Sequence, residues 1–432
     1  MRRRSLGSRL LLGVLLTLIV IVVVAVALVF RLPYSEVATP ERTAFDAALI
    51  NKGAQLSAIG NCETCHTAPG GARLAGGRAV DTPFGKIYST NITPDRATGI
   101  GAWSEEAFHR AMREGIGRSG QHLYPAFPYD HFTKLTDDDI KALYAYTMTR
   151  TPVKAAAPKN DLKFPYDIRE LLVGWNLLYL NSGAYQPDSS KSAEWNRGAY
   201  LVEGLAHCGS CHTPRNSFGA EKSDAKFGGG TADNWTAPAL NASSPAPTPW
   251  DAEHLATYLQ TGFDGRHGAP AGPMAEVVHN LSRAAPADIK AMAVYLADVI
   301  GPPSAERKAK ADALVAKVES APPEPARDAG LSKGAVVYWG ACAQCHEPSR
   351  LGVPFALSST FSLASPHNAL HIIIDGIHPP AGEAGPIMPS FAGALTDAQI
   401  VDLVKYARSS FSDKPAWANV EDEIRRIKNG DK

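Results

Sequence analysis

The pattern of apolar and polar positions repeats three times along the chain and predicts helices. LTDDDIKALYAYTM, APADIKAMAVYLADV and LTDAQIVDLVKYARSSF each carry apolar residues at helical spacing. No stretch shows the sustained alternation of a strand, so the pattern predicts an all-α fold. Each of the three helices also carries an isoleucine followed by a tyrosine in the same phase. The pairs are Ile140 with Tyr146, Ile289 with Tyr295, and Ile400 with Tyr406.

Two further helices precede each of these closing helices. The first contains a basic residue followed by Gly and Ala, and the second ends at a glycine, which is a helix stop signal. Each repeat is therefore expected to be a small helical bundle with long loops. The first helices contain Lys52-Gly53-Ala54, Arg197-Gly198-Ala199 and Lys333-Gly334-Ala335, and the second helices end at Glu114-Gly115, Thr261-Gly262 and Asp375-Gly376.

One apolar run breaks the bundle pattern. Leu10 to Phe30 has 21 residues, which as a helix would cover roughly 30 Å, enough to cross a hydrocarbon core. Arginines precede the run, and positive charge stays cytoplasmic. The pattern predicts a single transmembrane anchor in the inner membrane, with the rest of the chain in the periplasm. A cleaved signal peptide, with Ala25-Val26-Ala27 as a weak cleavage site, is the alternative.

These patterns divide the chain into three domains with Pro-rich and Ala-rich connections. The predicted segments are a membrane anchor at 1–33, domain 1 at 45–155, a connector at 156–190, domain 2 at 191–300, a linker at 301–329, domain 3 at 330–415 and a C-terminal tail at 416–432.

Composition adds one exclusion. The formal net charge is +0, which argues against a nucleic-acid partner, because such a partner requires a basic surface.

All six cysteines lie in three copies of one motif, Cys-x-x-Cys-His. A disulfide framework would not tie its cysteines to histidines, and a structural zinc site would need paired CxxC units within one domain. The motif places two thiols one helical turn apart with a histidine directly after them, which suits covalent attachment of haem c and ligation of its iron. We therefore expect three covalently bound haem c groups. Their residues are Cys62, Cys65 and His66; Cys208, Cys211 and His212; and Cys342, Cys345 and His346.

Each haem iron also needs a ligand on its other face. AGPMAEV offers Met274 and AGPIMPSF offers Met388, both on loops before the closing helix. The matching position of domain 1 is Phe127, which has no lone pair to donate. His131 is the preferred substitute and His122 a second one, and an open or water-bound iron stays possible. Met112 and Met148 fall on apolar helix faces and are read as core.

The motifs resemble a known family. NCETCHTAPGG, TPFGKIYSTNITPD, HLYPAFPY, CGSCHTPRN, NWTAPALN and MPSFAG resemble the three-haem cytochrome c subunits of periplasmic membrane-bound dehydrogenases. The resemblance implies three tandem class I-like cytochrome c domains. It also implies a catalytic partner subunit that is a quinoprotein, a flavoprotein or a molybdopterin protein, and ubiquinone or a terminal oxidase as the destination of electrons. Phe127 and the N-terminal anchor depart from the family pattern.

The function expected from these residues is electron transfer. The chain shows no acid/base pair or flavin fingerprint, so it is not expected to oxidise a substrate by itself. The alternative is a haem peroxidase or a small-ligand sensor that uses an open iron in domain 1. A pure assembly scaffold is a third reading, which three intact motifs disfavour.

Overall fold

The computed structural model describes residues 13–20, 29–320, 332–347, 351–379 and 384–430. The described residues fall into two compact units. The first unit comprises Met1–Leu56 and Cys65–Tyr185, and the second comprises Ser57–Thr64 and Gln186–Lys432. Below, repeats one, two and three denote residues 45–155, 191–300 and 330–415.

The predicted membrane anchor is wrong. Residues 1–12 and 21–28 of this region lie outside the described residues, and the described helical stretch of the apolar run is 13–20. Over the described ranges, no helix is both long and apolar enough to cross a membrane. The predicted inner-membrane location depended on this anchor and is wrong as well. Apolar composition by itself does not establish a membrane-spanning helix.

The prediction of a purely helical fold is also wrong, because two small antiparallel sheets accompany the helices. The first sheet has the order β1-β2-β3 and belongs to the first unit, and β4 pairs with β5 in the second unit. Their bounds are β1 Ala79–Thr82, β2 Gly85–Tyr88, β3 Asp161–Leu162, β4 Gly230–Ala232 and β5 Trp235–Ala237.

Short length explains why the strands were missed. Strands of this size are too short to show an alternating pattern. Between β4 and β5, Asp233 and Asn234 have φ values of +44° and +66°, the left-handed conformation that a tight two-residue hairpin turn requires. The pair Asp-Asn is the local signal that could have predicted this hairpin.

Capping residues set the helix ends in the first unit. Ser104 accepts a hydrogen bond from the Ala107 amide at one helix start, and Thr136 accepts one from the Asp139 amide at another. The helices are α1 Ala47–Ile59, α2 Cys62–His66, α3 Glu105–Glu114, α4 Tyr129–Phe132, α5 Asp137–Met148 and α6 Leu172–Tyr179.

The second unit repeats the same order of helices twice. Asp251 caps the middle helix of repeat two, and Thr396 forms a capping box with Gln399 in repeat three. The helices are α7 Ala193–Tyr200, α8 Gly209–His212, α9 Ala252–Thr261, α10 Pro273–Leu281, α11 Pro286–Ile300, α12 Ala305–Ser320, α13 Ser332–Val337, α14 Ala343–His346, α15 His367–Asp375, α16 Asp397–Phe411 and α17 Val420–Asn429.

The first and last helices of each repeat cross at a glycine, and this crossing explains the repeated Gly and Tyr of the sequence. A Cβ atom on the glycine would lie about 2 Å from a backbone carbonyl oxygen of the closing helix and would also meet the Cβ of the tyrosine. Only glycine allows this approach. The distances from such a Cβ to the oxygens are 2.0 Å for Gly53 to Ala142, 1.9 Å for Gly198 to Ala291 and 2.1 Å for Gly334 to Asp402.

The basic residue before the glycine has a partner in two repeats. The Lys52 ammonium lies 2.6 Å from a carboxylate oxygen of the buried Asp139. Arg197 donates two hydrogen bonds to the two oxygens of Asp288, at 2.8 and 3.0 Å. Each pair ties the opening helix to the first turn of the closing helix, so the charge pattern has a structural reason.

The predicted linker 301–329 contains a helix that packs against both repeats of the second unit. In α12, the Arg307 guanidinium donates to the carbonyl oxygens of Ala242, Ser244 and Ala246 at 3.0–3.4 Å. The Lys310 ammonium pairs with Asp413 beyond α16. This helix is a strut between repeats two and three.

Candidate haem sites

Each CxxCH motif lies on a short helix that follows the opening helix of its repeat. The histidine ends that helix. Both cysteines of repeat one lie on it, whereas Cys208 and Cys342 are the N-cap residues of their helices. In repeats two and three a π-helical turn, Leu201–Leu205 and Tyr338–Cys342, leads into the motif; such turns are frequent at functional sites. The motif helices are α2, α8 and α14.

The imidazole of each motif is held by a backbone carbonyl. A carbonyl oxygen can only accept, so Nδ1 carries the proton and Nε2 keeps its lone pair for a metal. The Nδ1 to oxygen distances are 2.6 Å for His66 to Thr90, 2.7 Å for His212 to Pro238, and 2.7 Å for His346 to Val353.

Electrostatics favour the neutral, metal-binding form of these imidazoles. Burial lowers the pKa of His66, His212 and His346, and the bond to the carbonyl only partly opposes it. Burial also raises the pKa of the Cys208 and Cys342 thiols to about 12. The sites therefore favour neutral imidazoles, and burial disfavours the thiolate form of these two cysteines when they are unattached.

In each repeat, a glycine amide binds the CxxCH motif and holds the loop whose carbonyl accepts from the motif histidine. The Gly76 amide donates to the His66 carbonyl at 2.7 Å, the Gly229 amide to the His212 carbonyl at 2.8 Å, and the Gly352 amide to the Cys345 carbonyl at 2.8 Å. Gly76 has φ +75°, and a Cβ there would lie 2.5 Å from the Thr90 carbonyl carbon. Repeats one and two therefore share this bond to the histidine carbonyl, and repeat three makes a similar bond one residue earlier, at Cys345.

The opposite loop of each repeat keeps a constant length. The middle helix is followed by a glycine with positive φ, at +65°, +76° and +79° for Gly115, Gly262 and Gly376. The twelfth residue after each glycine is Phe127, Met274 and Met388, respectively. The structure thus brings Phe127 into register with the two predicted methionine ligands.

The structure places the two methionines differently: Met274 lies in the first turn of α10 (Pro273–Leu281) and not on the predicted loop, whereas Met388 lies on a loop. Gly272, two residues before Met274, has φ +55°, and a Cβ there would lie 2.3 Å from Cε2 of Trp235. In repeat three, Ile377 and Met388 exchange two backbone hydrogen bonds of 2.9 Å. Both methionines are half-buried.

Repeat one places its two candidate histidines differently. His122 is buried, its Nε2 lies 3.2 Å from the Val29 carbonyl oxygen, and its Nδ1 is enclosed by protein. The ring therefore directs Nε2 at a carbonyl oxygen and leaves Nδ1 buried without a hydrogen-bond partner among the described residues. His131 is buried on α4, with a ring nitrogen within 4.8 Å of a carboxylate oxygen of Asp130. Phe127 packs against Phe132, with ring centroids 5.3 Å apart.

Sequence reasoning missed the three carbonyl donors of the sites. Thr90, Pro238 and Val353 contribute only backbone oxygens, so no side-chain motif marks them. The signal available was the segment TNITPD in repeat one and APALN in repeat two, which both end the loop that returns to the histidine.

Comparison with protein-family models gives two matches. The model described as "Cytochrome c" matches residues 50–151. The model described as "Cytochrome C oxidase, cbb3-type, subunit III" matches residues 329–406. The matched segments contain the first and third CxxCH motifs.

Curated relatives match most of the chain. It is 46% identical over 94% of its length to a subunit of nicotinate dehydrogenase from Pseudomonas putida, but it spans only 34% of that protein. It is 36% identical to the fructose dehydrogenase cytochrome subunit of Gluconobacter japonicus, covering 89% of this chain and 83% of the relative. It is 33% identical, with 89% and 83% coverage, to the cytochrome c subunit of a quinone alcohol dehydrogenase from Gluconobacter oxydans.

Proposed function

We propose, from the premise that this chain belongs to the family of cytochrome c subunits of dehydrogenases, that it carries electrons between three haem c groups. The observation that supports this is the threefold recurrence of one arrangement. In each repeat a half-buried imidazole follows two cysteines, commits Nδ1 to a backbone carbonyl and leaves Nε2 available. The residues present therefore fit a covalently attached haem in each of three domains, at 45–155, 191–300 and 330–415.

Cys62 and Cys65, Cys208 and Cys211, and Cys342 and Cys345 would hold the haem groups, and His66, His212 and His346 would bind their irons. When bound, each group supplies an iron that is oxidised and reduced by one electron. The chain's own residues orient that group. The carbonyl bonds fix the orientation and the tautomer of each imidazole ring.

The second ligands proposed are Met274 and Met388. A thioether favours ferrous iron and raises the reduction potential. Both methionines stand twelve residues after the glycine that ends the middle helix. Met274 lies in the first turn of α10, and Met388 lies on a loop held by two backbone hydrogen bonds with Ile377. Phe127 cannot take this role in repeat one. His131 is the proposal there, because it lies four residues past the vacated position and is buried on α4.

The electrons come from a catalytic dehydrogenase subunit in this proposal, and ubiquinone or a terminal oxidase receives them. The names of the relatives support such a partner, because each relative is a subunit of a dehydrogenase. These names also favour electron transfer over catalysis by an open iron.

The decisive experiment counts haem groups and electrons. The full chain, matured in a host that attaches haem c, is expected to gain three porphyrin masses and to accept three electrons in a stepwise reductive titration. Replacing both cysteines of one motif by serine should remove one porphyrin mass and one electron each time. A chain with fewer than three attached groups would refute the count, and groups that accept no electrons would refute the function.

The ligand proposal has a separate test. Met274→Leu and Met388→Leu should each change the spectrum of one haem only, and His131→Phe should change the spectrum of the first. If His131→Phe leaves a low-spin first haem unaltered, His131 is not its ligand.

A further inference from the structure

Repeats two and three touch through a side chain that imitates a neighbouring strand. The Thr236 amide donates to Oδ1 of Asn368 at 3.0 Å, and Nδ2 of Asn368 donates back to the Thr236 carbonyl oxygen at 2.9 Å. Thr236 lies in β5 and Asn368 in α15. One asparagine therefore satisfies both backbone groups of a sheet-edge residue, which fixes the distance and rotation between the two elements.

The residue before Thr236 adds a ring contact. The Trp235 indole and the His371 imidazole, one turn along α15 from Asn368, have ring centroids 5.0 Å apart and planes inclined by 31°. The same indole fills the space beside Gly272, where no Cβ would fit. We call Trp235, Thr236, Asn368 and His371 the Trp235 contact.

In repeat two, this contact adjoins both sides of the candidate haem site. β5 continues to Pro238, whose carbonyl accepts from His212 at 2.7 Å. Gly272, against which Trp235 packs, precedes Met274 by two residues. Trp235 is therefore linked to both ligand loops of the second site.

In repeat three, the contact leads to the ligand loops in the same way. α15 ends at Gly376, and a Cβ there would lie 2.5 Å from the Met388 carbonyl oxygen. A second contact between the repeats involves the loop that orients His346. A Cβ on Gly268 of repeat two would lie 2.9 Å from Cγ1 of Val353, and the Val353 carbonyl accepts from His346. The loop that holds Val353 therefore lies against repeat two, and the loop that holds Met388 lies against α15, the helix that contacts repeat two.

We propose that electrons pass between the second and third haem groups across the Trp235 contact, with Trp235 and Asn368 as positioning residues that set the approach of the two sites. This inference rests on the proposed function. Such a transfer would move one electron between the two groups, with no proton transferred and no bond formed or broken. The rate of such a transfer falls steeply with the gap between the groups, so residues that fix the gap control the rate.

The strut α12 makes the inference testable, because it holds the repeats together independently. Arg307 and Lys310 contact repeats two and three, respectively. Removing the Trp235 contact should therefore loosen the orientation of the two repeats without separating them or unfolding either one.

The test uses the full haem-loaded chain and the variants Asn368→Leu, Trp235→Leu and Trp235→Phe. Haem methyl resonances of the partly reduced protein in NMR spectra report electron exchange between pairs of haem groups. Asn368→Leu and Trp235→Leu should slow exchange between the second and third groups severalfold, and Trp235→Phe should keep most of it. Hydrogen exchange of the α15 amides, which needs no electron transfer, should accelerate in the same two variants.

Trp195→Leu is the matched control. This tryptophan belongs to repeat two and packs on Tyr295 with centroids 5.0 Å apart, and its Nε1 donates to Asp298 at 2.8 Å. Its loss should leave the exchange rate unchanged. Unchanged rates in Asn368→Leu and Trp235→Leu, or equal slowing in Trp195→Leu, would overturn the inference and leave the proposed function intact. A wild-type chain with three haem groups that exchange no electrons would defeat the proposed function itself.

Discussion

The glycine at each helix crossing supports a sharp stability prediction, and Gly53 is the best place to test it. Gly53→Ala places a Cβ 2.0 Å from the Ala142 carbonyl oxygen and 2.7 Å from the Tyr146 Cβ. Cβ atoms essentially never lie within 3.0 Å of such a heavy atom, so α1 must move away from α5 by about 1 Å. A gap of about this size removes roughly a quarter to a half of the attractive energy of each packing contact.

The magnitude follows from two opposing effects. Alanine favours a helix over glycine by about 1 kcal/mol. Overpacking costs about 1–3 kcal/mol, and the upper end applies because the obstacle is backbone that cannot rotate away. The net loss of unfolding free energy should be about 2 kcal/mol, which lowers the Tm of a unit of this size by about 4–8 °C.

Gly174→Ala is the matched control in the same unit. Gly174 lies inside α6, and a Cβ added there would have nothing within 4 Å, so only the helix preference acts and the Tm should stay level or rise. Thermal unfolding of the haem-loaded full chain, followed by far-ultraviolet circular dichroism, measures both variants. A Gly53→Ala protein as stable as wild type, or a Gly174→Ala protein destabilised equally, would refute the crossing argument.

Three further outcomes are expected. Phe127→Met should restore a thioether at the vacated ligand position, raise the potential of the first haem alone and add a third methionine–iron spectrum; an unchanged potential would contradict the register of the loops. Hydrogen bonds from His109, and then from Arg113, hold the pKa of Asp137 below its usual value, so its stabilising effect is present above the unfolded pKa and is lost as pH falls through the folded pKa. The Tm difference between wild type and Asp137→Asn should therefore shrink in acid, and a constant difference would exclude this linkage. Arg307→Leu removes the guanidinium bonds to three carbonyls and should destabilise the attachment of α12 by about 1–2 kcal/mol, visible as faster amide exchange in α12; unchanged exchange would show that these bonds carry no net stability.

The residues that chemistry constrains most could be predicted from the sequence. Each CxxCH motif, the repeated glycine and tyrosine, and the register of Met274 and Met388 leave side-chain patterns that recur in phase. The structure supplies the reason for the glycine and tyrosine, a close helix crossing.

Other features leave no such pattern. The carbonyls that orient the histidines stand 24, 26 and 7 residues away from them, and any residue type can supply a carbonyl. The short strands fell below the length at which alternation becomes visible. The apolar run at 10–30 satisfied a hydropathy argument, although the structure contains no described helix able to span a bilayer.

The strut α12 has a practical meaning for anyone who dissects this protein. Ala311, on this helix, is only 3% exposed, so a cut within Ala305–Ser320 would expose apolar surface that is buried in the uncut protein. Midpoint potentials measured on isolated fragments of the second unit would then be altered by the new exposure to solvent. Only the uncut polypeptide would give the native values.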